Sequence, residues 1–243
     1  MKGMLGRVLR NPLGTLLRGF EKLLIAPIRY GKGNDYDAAR YWRDRFVRHG
    51  SSLKSVGDEG LDEMANARMY ADARERVGQL VLKSGMSDPG RIKVLEIGCG
   101  NGFYTQLLDE LGIRDFCGLD ITDVFFPMLQ KQYPAYKFIQ GDVTSDVPQA
   151  NFDLVLCIDV IEHIVTPEKF RAAMANLDRA LRPGGHLFIA PVIASGRRSL
   201  FYVRFWSEQE VLSSLPGYEV LTRMPFRYSQ LFVLRKLLDS GTT

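Results

Sequence analysis

The stretch VLEIGCGNGFYT, residues 94–105, decides how this chain is read. An apolar run carries Glu96 near its end, and glycines follow at 98, 100 and 102. The run suits a parallel strand covered on both faces. The alternating glycines let the backbone turn sharply and approach a ligand with no Cβ in the way. A plain strand-to-helix turn would use the same residues. The spacing departs from the dinucleotide fingerprint G-x-G-x-x-G, whose third position falls here on Phe103. Glu96 would also set a negative charge beside a pyrophosphate. An acid at that turn suits a ligand carrying an amine.

Downstream of this stretch, strand and helix patterns alternate. IKVLEI (92–97), FCGLDI (116–121), YKFIQ (136–140), FDLVLCI (152–158) and HLFIAP (186–191) are short, apolar and rich in β-formers. Helical patterns fill 102–111, 123–132 and 167–181, the last ended by the RPGG turn. YEVLTRM and QLFVLRK, separated only by PFRYS, have the spacing of a closing antiparallel hairpin. The order predicts an α/β fold: a doubly wound, mostly parallel seven-stranded sheet, with ligands beyond the carboxyl ends of its strands. Upstream, DYDAARYWRDRFVRHG (35–50) and LDEMANARMYADARERVGQLVLKSG (61–85) read as helices, the first capped by an Asp and the second closed by Gly85. GSSLKSVGDEG between them reads as a loop, and SDPGR (87–91) as a turn. The organisation that follows is a basic amphipathic segment (1–33), a helical cap over the site (34–86) and a ligand-binding core (87–243).

The composition of these 243 residues, 46% hydrophobic and 25% charged without repeats or low-complexity tracts, is that of a globular domain. Residues 1–33 hold seven basic residues against Glu21, so that segment carries +6 of a net +4 and the remainder is slightly acidic. That distribution argues against nucleic acid as a partner. Cys99, Cys117 and Cys157 form no CxxC pair, which fits a reduced, cytoplasmic location. No apolar stretch reaches the ~18 residues of a membrane span. Arg18, Glu21 and Lys22 interrupt what could otherwise read as a secretory signal. In NPLGTLLRGFEKLLI (11–25), Asn11 suits a helix cap and Pro12 the first helical position. Leu13, Leu16, Leu17, Phe20, Leu23 and Leu24 fall on one stripe, with Arg18, Glu21 and Lys22 opposite. Two readings stand for this helix: peripheral contact with an anionic membrane, or packing on the protein's own core or a partner subunit. The oligomeric expectation is a monomer or homodimer.

Acids recur at successive strand ends. Asp120 closes GLDI about 20 residues after the glycines, where a carboxylate can accept both ribose hydroxyls. Asp142 follows the third strand in QGDV and can accept from an adenine amino group. The fourth strand ends in CIDVIEHI. One acid after a strand reads as a helix cap; several in series describe a pocket for a cationic nucleoside.

Taken together, VLEIGCGNG, GLDI, GDV, FDLVLCIDVIEHI and LRPGGHLFIA resemble the class I S-adenosylmethionine-dependent methyltransferases over residues 60–195. Within them the chain is similar to the small-molecule branch containing the ubiquinone-biosynthesis O-methyltransferases. The resemblance implies a Rossmann-like methyltransferase fold with S-adenosylmethionine as cofactor. It implies that Glu96, Gly98, Cys99 and Gly100 hold the methionine part, that Asp120 holds the ribose with Ile121 against the adenine, and that Asp142 and Val143 frame the adenine ring. Ile158 would offer backbone to the cofactor. Arg68 in NARMY lies where that branch contacts the cofactor's carboxylate, although a salt-bridged surface arginine is the alternative.

For a hydroxyl acceptor something must take a proton, and His163 and Asp159 lie just past the fourth strand. His163 bonded to backbone at a structural helix start is the competing reading. The related branch can hold a divalent metal on E-x-x-E-H; here the segment is Asp159, Glu162, His163 with a shorter first acid, and no metal is assigned. The acceptor would be enclosed by Tyr36, Tyr41, Trp42 and Phe46 and by ASGRRSLFYVRFWSEQE, unless these aromatics only pack the helices onto the sheet. An aromatic, glycosidic or lipid-linked small molecule fits, with an anionic group near Arg197 and Arg198. The N/D-P-P-Y/F motif of amino-directed enzymes is replaced by IDVI, so O-methylation is expected. N- or C-methylation and a catalytically silent scaffold are the alternatives. A nicotinamide oxidoreductase would need the other glycine spacing.

Overall fold

The structure is a computed structural model that describes residues 19–58, 61, 63–84, 88–149 and 151–238. Asn11, Pro12, Leu13, Leu16, Leu17, Arg18 and Gly85 lie outside the described residues. The first helix is wide-turned over Glu21–Ile25 and becomes α-helical as α1 (Ala26–Tyr30), which ends at Gly31 with φ 74°. Then come α2 (Ala38–His49), α3 (Leu53–Val56) and α4 (Glu63–Lys83). Asp37 caps α2 by accepting from the Arg40 N–H at 2.9 Å, as the sequence pattern predicts. The GSSLKSVGDEG segment is not all loop. It folds α3, because Ser52 and Ser55 hydrogen bond backbone carbonyls and Asn66 holds both polar groups of Asp58.

The core alternates β1 (Lys93–Ile97), α5 (Phe103–Glu110), β2 (Asp115–Asp120), α6 (Phe126–Gln132), β3 (Lys137–Gln140), β4 (Phe152–Ile158), α7 (Pro167–Ala180) and β5 (Leu181–Ile193). Next follow a hairpin of β6 (Arg197–Leu200) and β7 (Val203–Ser207), the short α8 (Glu208–Ser213), and the closing hairpin of β8 (Tyr218–Phe226) and β9 (Ser229–Lys236). Strands β3, β2, β1, β4 and β5 run parallel in that order, and β9 and β8 complete the sheet antiparallel. These are the seven expected strands. The β6–β7 hairpin adds two more, joined to β5 only through Val192 and Ile193. It occupies the segment that the sequence offers as acceptor cover.

The RPGG segment is a bulge inside β5 rather than a turn before it. Leu181 pairs with Phe152, and pairing resumes at His186 with Leu154. Helix α7 shows why this sequence makes a three-layer sandwich. Pro167 pre-sets its first turn, and Phe170, Ala173, Met174, Leu177 and Ala180 place one apolar stripe on the sheet. Helices α4, α5 and α6 cover the opposite face through Ala73, Val77, Val81, Leu108 and Leu129. Both faces of β1 and β4 are therefore buried, and their carboxyl ends are the place left for a ligand.

Candidate active site

Each strand end is held by the next one's backbone. Gly98 N–H donates to the Leu119 carbonyl at 2.7 Å, Gly141 N–H to the Asp120 carbonyl at 2.9 Å, and Asp159 N–H to the Ala190 carbonyl at 3.0 Å. At the first turn Gly98, Gly100 and Gly102 have φ of 71°, 49° and 85°, a region closed to most side chains. A Cβ on Gly98 would stand 2.4 Å from Val160 Cγ2, so β1 and β4 could not converge with any other residue there. Gly98 thus does more than reverse the chain: it lets the turn after β1 pass close to Val160, just beyond β4.

That pocket is lined by Glu96, Gly98, Cys99, Gly100, Asp120, Ile121, Asp142, Val143, Ile158, Asp159 and His163, the floor that the sequence names. Arg68 is the exception. It is exposed, rests on Met64 Sδ at 3.6 Å and is not among the lining residues. It stands two residues before the lining Tyr70 on α4, which turns its side chain to another face of the helix. The roof comes from Tyr36, Trp42, Phe46 and Val56. Tyr41 instead packs among Tyr30, Tyr36, Phe201 and Tyr202. Nor do Arg197 and Arg198 reach the pocket: Arg198 donates to the Val165 carbonyl at 3.1 Å, and exposed Arg197 lies over the Phe205 ring.

The charges have distinct environments. Burial pushes Glu96 up to about 8, opposed by the Thr105 hydroxyl that donates to it at 2.7 Å and reinforced by Asp120. Burial also raises Asp120, whose carboxylate accepts from Gly100 N–H at 2.9 Å and from the Thr122 N–H and hydroxyl. Asp142 accepts from Thr144 N–H at 2.8 Å, a turn-forming bond that uses one of its two oxygens. Past β4, Asp159 has φ 59° and its Oδ2 accepts from Arg227 Nη1 at 2.6 Å. Arg227 itself has φ 55° at the two-residue β8–β9 turn and lies over the Tyr70 ring. Two side-chain-bearing residues in the left-handed region, joined by one buried ion pair, mark this contact as a fixed strut.

Glu162 is pushed well above the usual carboxylate range by burial and by the Asp159 charge. Burial pushes His163 down to about 4, against the Tyr202 carbonyl that its Nδ1 contacts at 3.1 Å. Because a carbonyl can only accept, Nδ1 carries the proton and Nε2 keeps its lone pair. Nδ1 is thus bonded to backbone, as the competing reading has it, and Nε2 is left as an acceptor 3.9 Å from Glu162 Oε1. Among the described residues no three His, Cys, Asp or Glu side chains converge as a metal site, and Asp159 faces Arg227.

Three polar atoms of the lining residues, Tyr36 Oη, Asn101 Oδ1 and Tyr104 Oη, are buried with no protein hydrogen-bond partner. Such atoms call for a polar ligand. Together with desolvated Glu96 and Asp120, they fit a group carrying an amine, hydroxyls and a flat base. Tyr70, Tyr104 and Arg227 were not indicated by the sequence. NARMY and GFYT hold the two tyrosines at strand-facing helix positions, but Arg227 sits in a hairpin turn with no motif to flag it.

The sheet order and the pocket at its strand ends are those of the Rossmann-like methyltransferase fold. Residues 95–189 match the family model described as a methyltransferase domain. The chain is 28% identical over 138 residues to a ubiquinone biosynthesis O-methyltransferase of Methylococcus capsulatus, covering 54% of this chain and 52% of that protein. It is 27% identical over 165 residues to a malonyl-[acyl-carrier protein] O-methyltransferase of Serratia marcescens, covering 66% and 63%. Among solved structures, an S-adenosylmethionine-bound amino pentose methyltransferase of Micromonospora echinaspora superposes with a TM-score of 0.59 at 16% identity, over 71% of this chain and 95% of that one. The chain thus spans about half to two thirds of the length of these curated relatives.

Proposed function

We propose that this protein transfers a methyl group from S-adenosylmethionine to a hydroxyl of a small acceptor enclosed beneath α2. When bound, the cofactor supplies an electrophilic methyl on a sulfonium. Glu96 would face its amine, Asp120 its ribose hydroxyls, and Asp142, Val143 and Ile121 its adenine, while Ile158 offers backbone. Trp42, Phe46 and Val56 exclude water above them. Asp159, pinned by Arg227, fixes the end of β4 that carries the candidate base.

The observation that carries the hydroxyl reading is the contact of His163 Nδ1 with the Tyr202 carbonyl, which leaves Nε2, 3.9 Å from Glu162 Oε1, as the acceptor on a residue lining the pocket. An imidazole held down to about 4 is a weak base. A weak base suffices here, because an attacking hydroxyl becomes strongly acidic as its oxygen gains the methyl carbon. The proton can then leave late, to Nε2. The two relatives, both O-methyltransferases, support oxygen as the acceptor atom. The reading includes aromatic, glycosidic or lipid-linked acceptors, a cytoplasmic location, and peripheral contact of residues 1–33 with an anionic membrane.

A labelled-methyl screen against such acceptors tests the function, with His163→Ala as its control. Loss of the base should lower kcat by about 10²–10⁴ with cofactor affinity unchanged. At saturating cofactor the wild-type kcat should stay flat with falling pH until His163 protonates, near 4. Full turnover by His163→Ala, or product methylated on nitrogen or carbon, would overturn the hydroxyl reading.

A further inference from the structure

The first described helix is turned the opposite way from a core helix. Its apolar residues Phe20, Leu23, Leu24 and Ile28 span the wide turn Glu21–Ile25 and the α-helical turn after it. All four are exposed, Leu23 by 65% and Ile28 by 86%. The face that meets the protein is Lys22, Ala26 and Tyr30. Ala26 and Tyr30 are buried in the aromatic cluster with Tyr41 and Tyr202, and Lys22 Nζ donates to Tyr202 Oη at 3.1 Å. The helix is therefore anchored through its mixed face and presents its apolar stripe outward. Of the two readings of this stripe, packing on the protein's own core does not hold for these four residues.

We propose that this outward face, Phe20, Leu23, Leu24 and Ile28, docks on an anionic lipid bilayer. The inference rests on the membrane contact proposed above for residues 1–33 and assigns it a face and an orientation. Charge selects the occupant. The segment that bears the stripe holds seven basic residues against one acid. Two copies meeting face to face would bring two such segments together, whereas anionic headgroups attract them. No helix of the described residues is long and apolar enough to cross a membrane, so the contact would be interfacial.

The orientation links docking to the site. Antiparallel pairing of the first helix with α2, through Arg29–Asp44 at 2.7 Å and Arg48–Glu21 at 3.5 Å, sets α2 directly behind the docking helix. Helix α2 carries Trp42 and Phe46 over the pocket. Tyr202, which receives Lys22 on its hydroxyl, accepts from His163 on its carbonyl. A single residue therefore links the docking helix to the candidate base.

The test is co-sedimentation of the full chain with phosphatidylcholine vesicles, with and without about one quarter phosphatidylglycerol. Wild type should pellet with the anionic vesicles. Leu23→Glu/Ile28→Glu, at two exposed positions, should leave the thermal transition in place and bind at least about tenfold more weakly. As a direct reporter, Ile28→Cys carrying an environment-sensitive fluorophore should shift to the blue on anionic vesicles, while the same label at Leu221→Cys should not. The native cysteines are buried, which confines the label. If the double variant binds as wild type while neutralising Lys2, Arg7 and Arg10 abolishes binding, the face is wrong and the membrane contact stands. If wild type ignores both vesicle types, both fail. A wild-type dimer that the double variant dissociates would assign the face to a second copy instead.

Discussion

The floor and the roof of the pocket are built by different physics. Floor residues sit at the ends of parallel strands and are placed by backbone hydrogen bonds between neighbours, such as Gly98 to Leu119 and Asp159 to Ala190. The roof is held by ring contacts among residues far apart in the chain: Tyr30, Tyr36 and Tyr41 against Phe201 and Tyr202. A strand end fixes its residues wherever the sheet forms. A ring cluster fixes them only once distant segments have met. The floor should therefore behave as a rigid template, and the roof as the part whose substitution changes the acceptor rather than the cofactor.

The largest effect expected is on the strut that ties the floor to the closing hairpin. Arg227→Met removes the partner of Asp159 and leaves a carboxylate that is only 18% exposed without its ion pair. Breaking a buried pair costs about 3–5 kcal/mol, and the partial exposure of Asp159 favours the lower end. Denaturant unfolding should show that loss, and Arg227→Met/Asp159→Asn should recover most of it. A double variant as unstable as the single one would mean that Arg227 acts through packing on Tyr70 rather than through charge.

This contrast also explains what could be read in advance. Glu96, Asp120 and Asp142 are each a few residues from a strand end within a short motif, so sequence order alone places them around one pocket. The β8–β9 hairpin is legible for the same reason: two apolar runs meet across a two-residue turn, Arg227–Tyr228. Arg227 itself is not legible, because its function comes from a contact with Asp159 sixty-eight residues away. Tyr41 shows the limit from the other side. It shares a helix face with Trp42 and Phe46 in the sequence pattern, yet the ring of Phe201 at 5.7 Å draws it into the aromatic cluster. Helix α3 was hidden by its serines and glycines, which are loop formers until Asn66 and the Ser52 carbonyl satisfy the local backbone.

A smaller effect separates floor from roof directly. Asp120→Asn should weaken cofactor binding by about tenfold or more, since a hydrogen bond to a charged group contributes roughly 1.5–3 kcal/mol. The amide would also set an N–H against either Gly100 N–H or the Thr122 N–H, both of which donate to the carboxylate. Trp42→Ala should leave calorimetric cofactor affinity nearly unchanged and raise the acceptor KM, because the indole packs edge-on to His163 at 4.7 Å. Equal losses of cofactor affinity in the two variants would erase the distinction between template and cover.

The finest test of the floor is a proton. Glu96 is held up to about 8 by burial, so before the cofactor binds it is largely protonated at neutral pH. Its folded value is raised, so the stability it contributes is complete below its ordinary 4.5 and is lost as pH rises through about 8. A cationic amine in the pocket reverses the preference and favours the carboxylate. Cofactor binding near pH 7 should then release a proton from Glu96, and affinity should rise with pH over the range in which the amine stays charged, up to about 7.5. The change is at most about tenfold per pH unit, the limit for one titrating group. Calorimetry in two buffers of different ionisation enthalpy reads the proton directly. Glu96→Gln should abolish both the buffer dependence and the pH slope and bind more weakly at the upper end of the range. A wild-type enthalpy identical in both buffers, with affinity flat in pH, would place the amine away from Glu96 and leave that carboxyl a structural partner of Thr105.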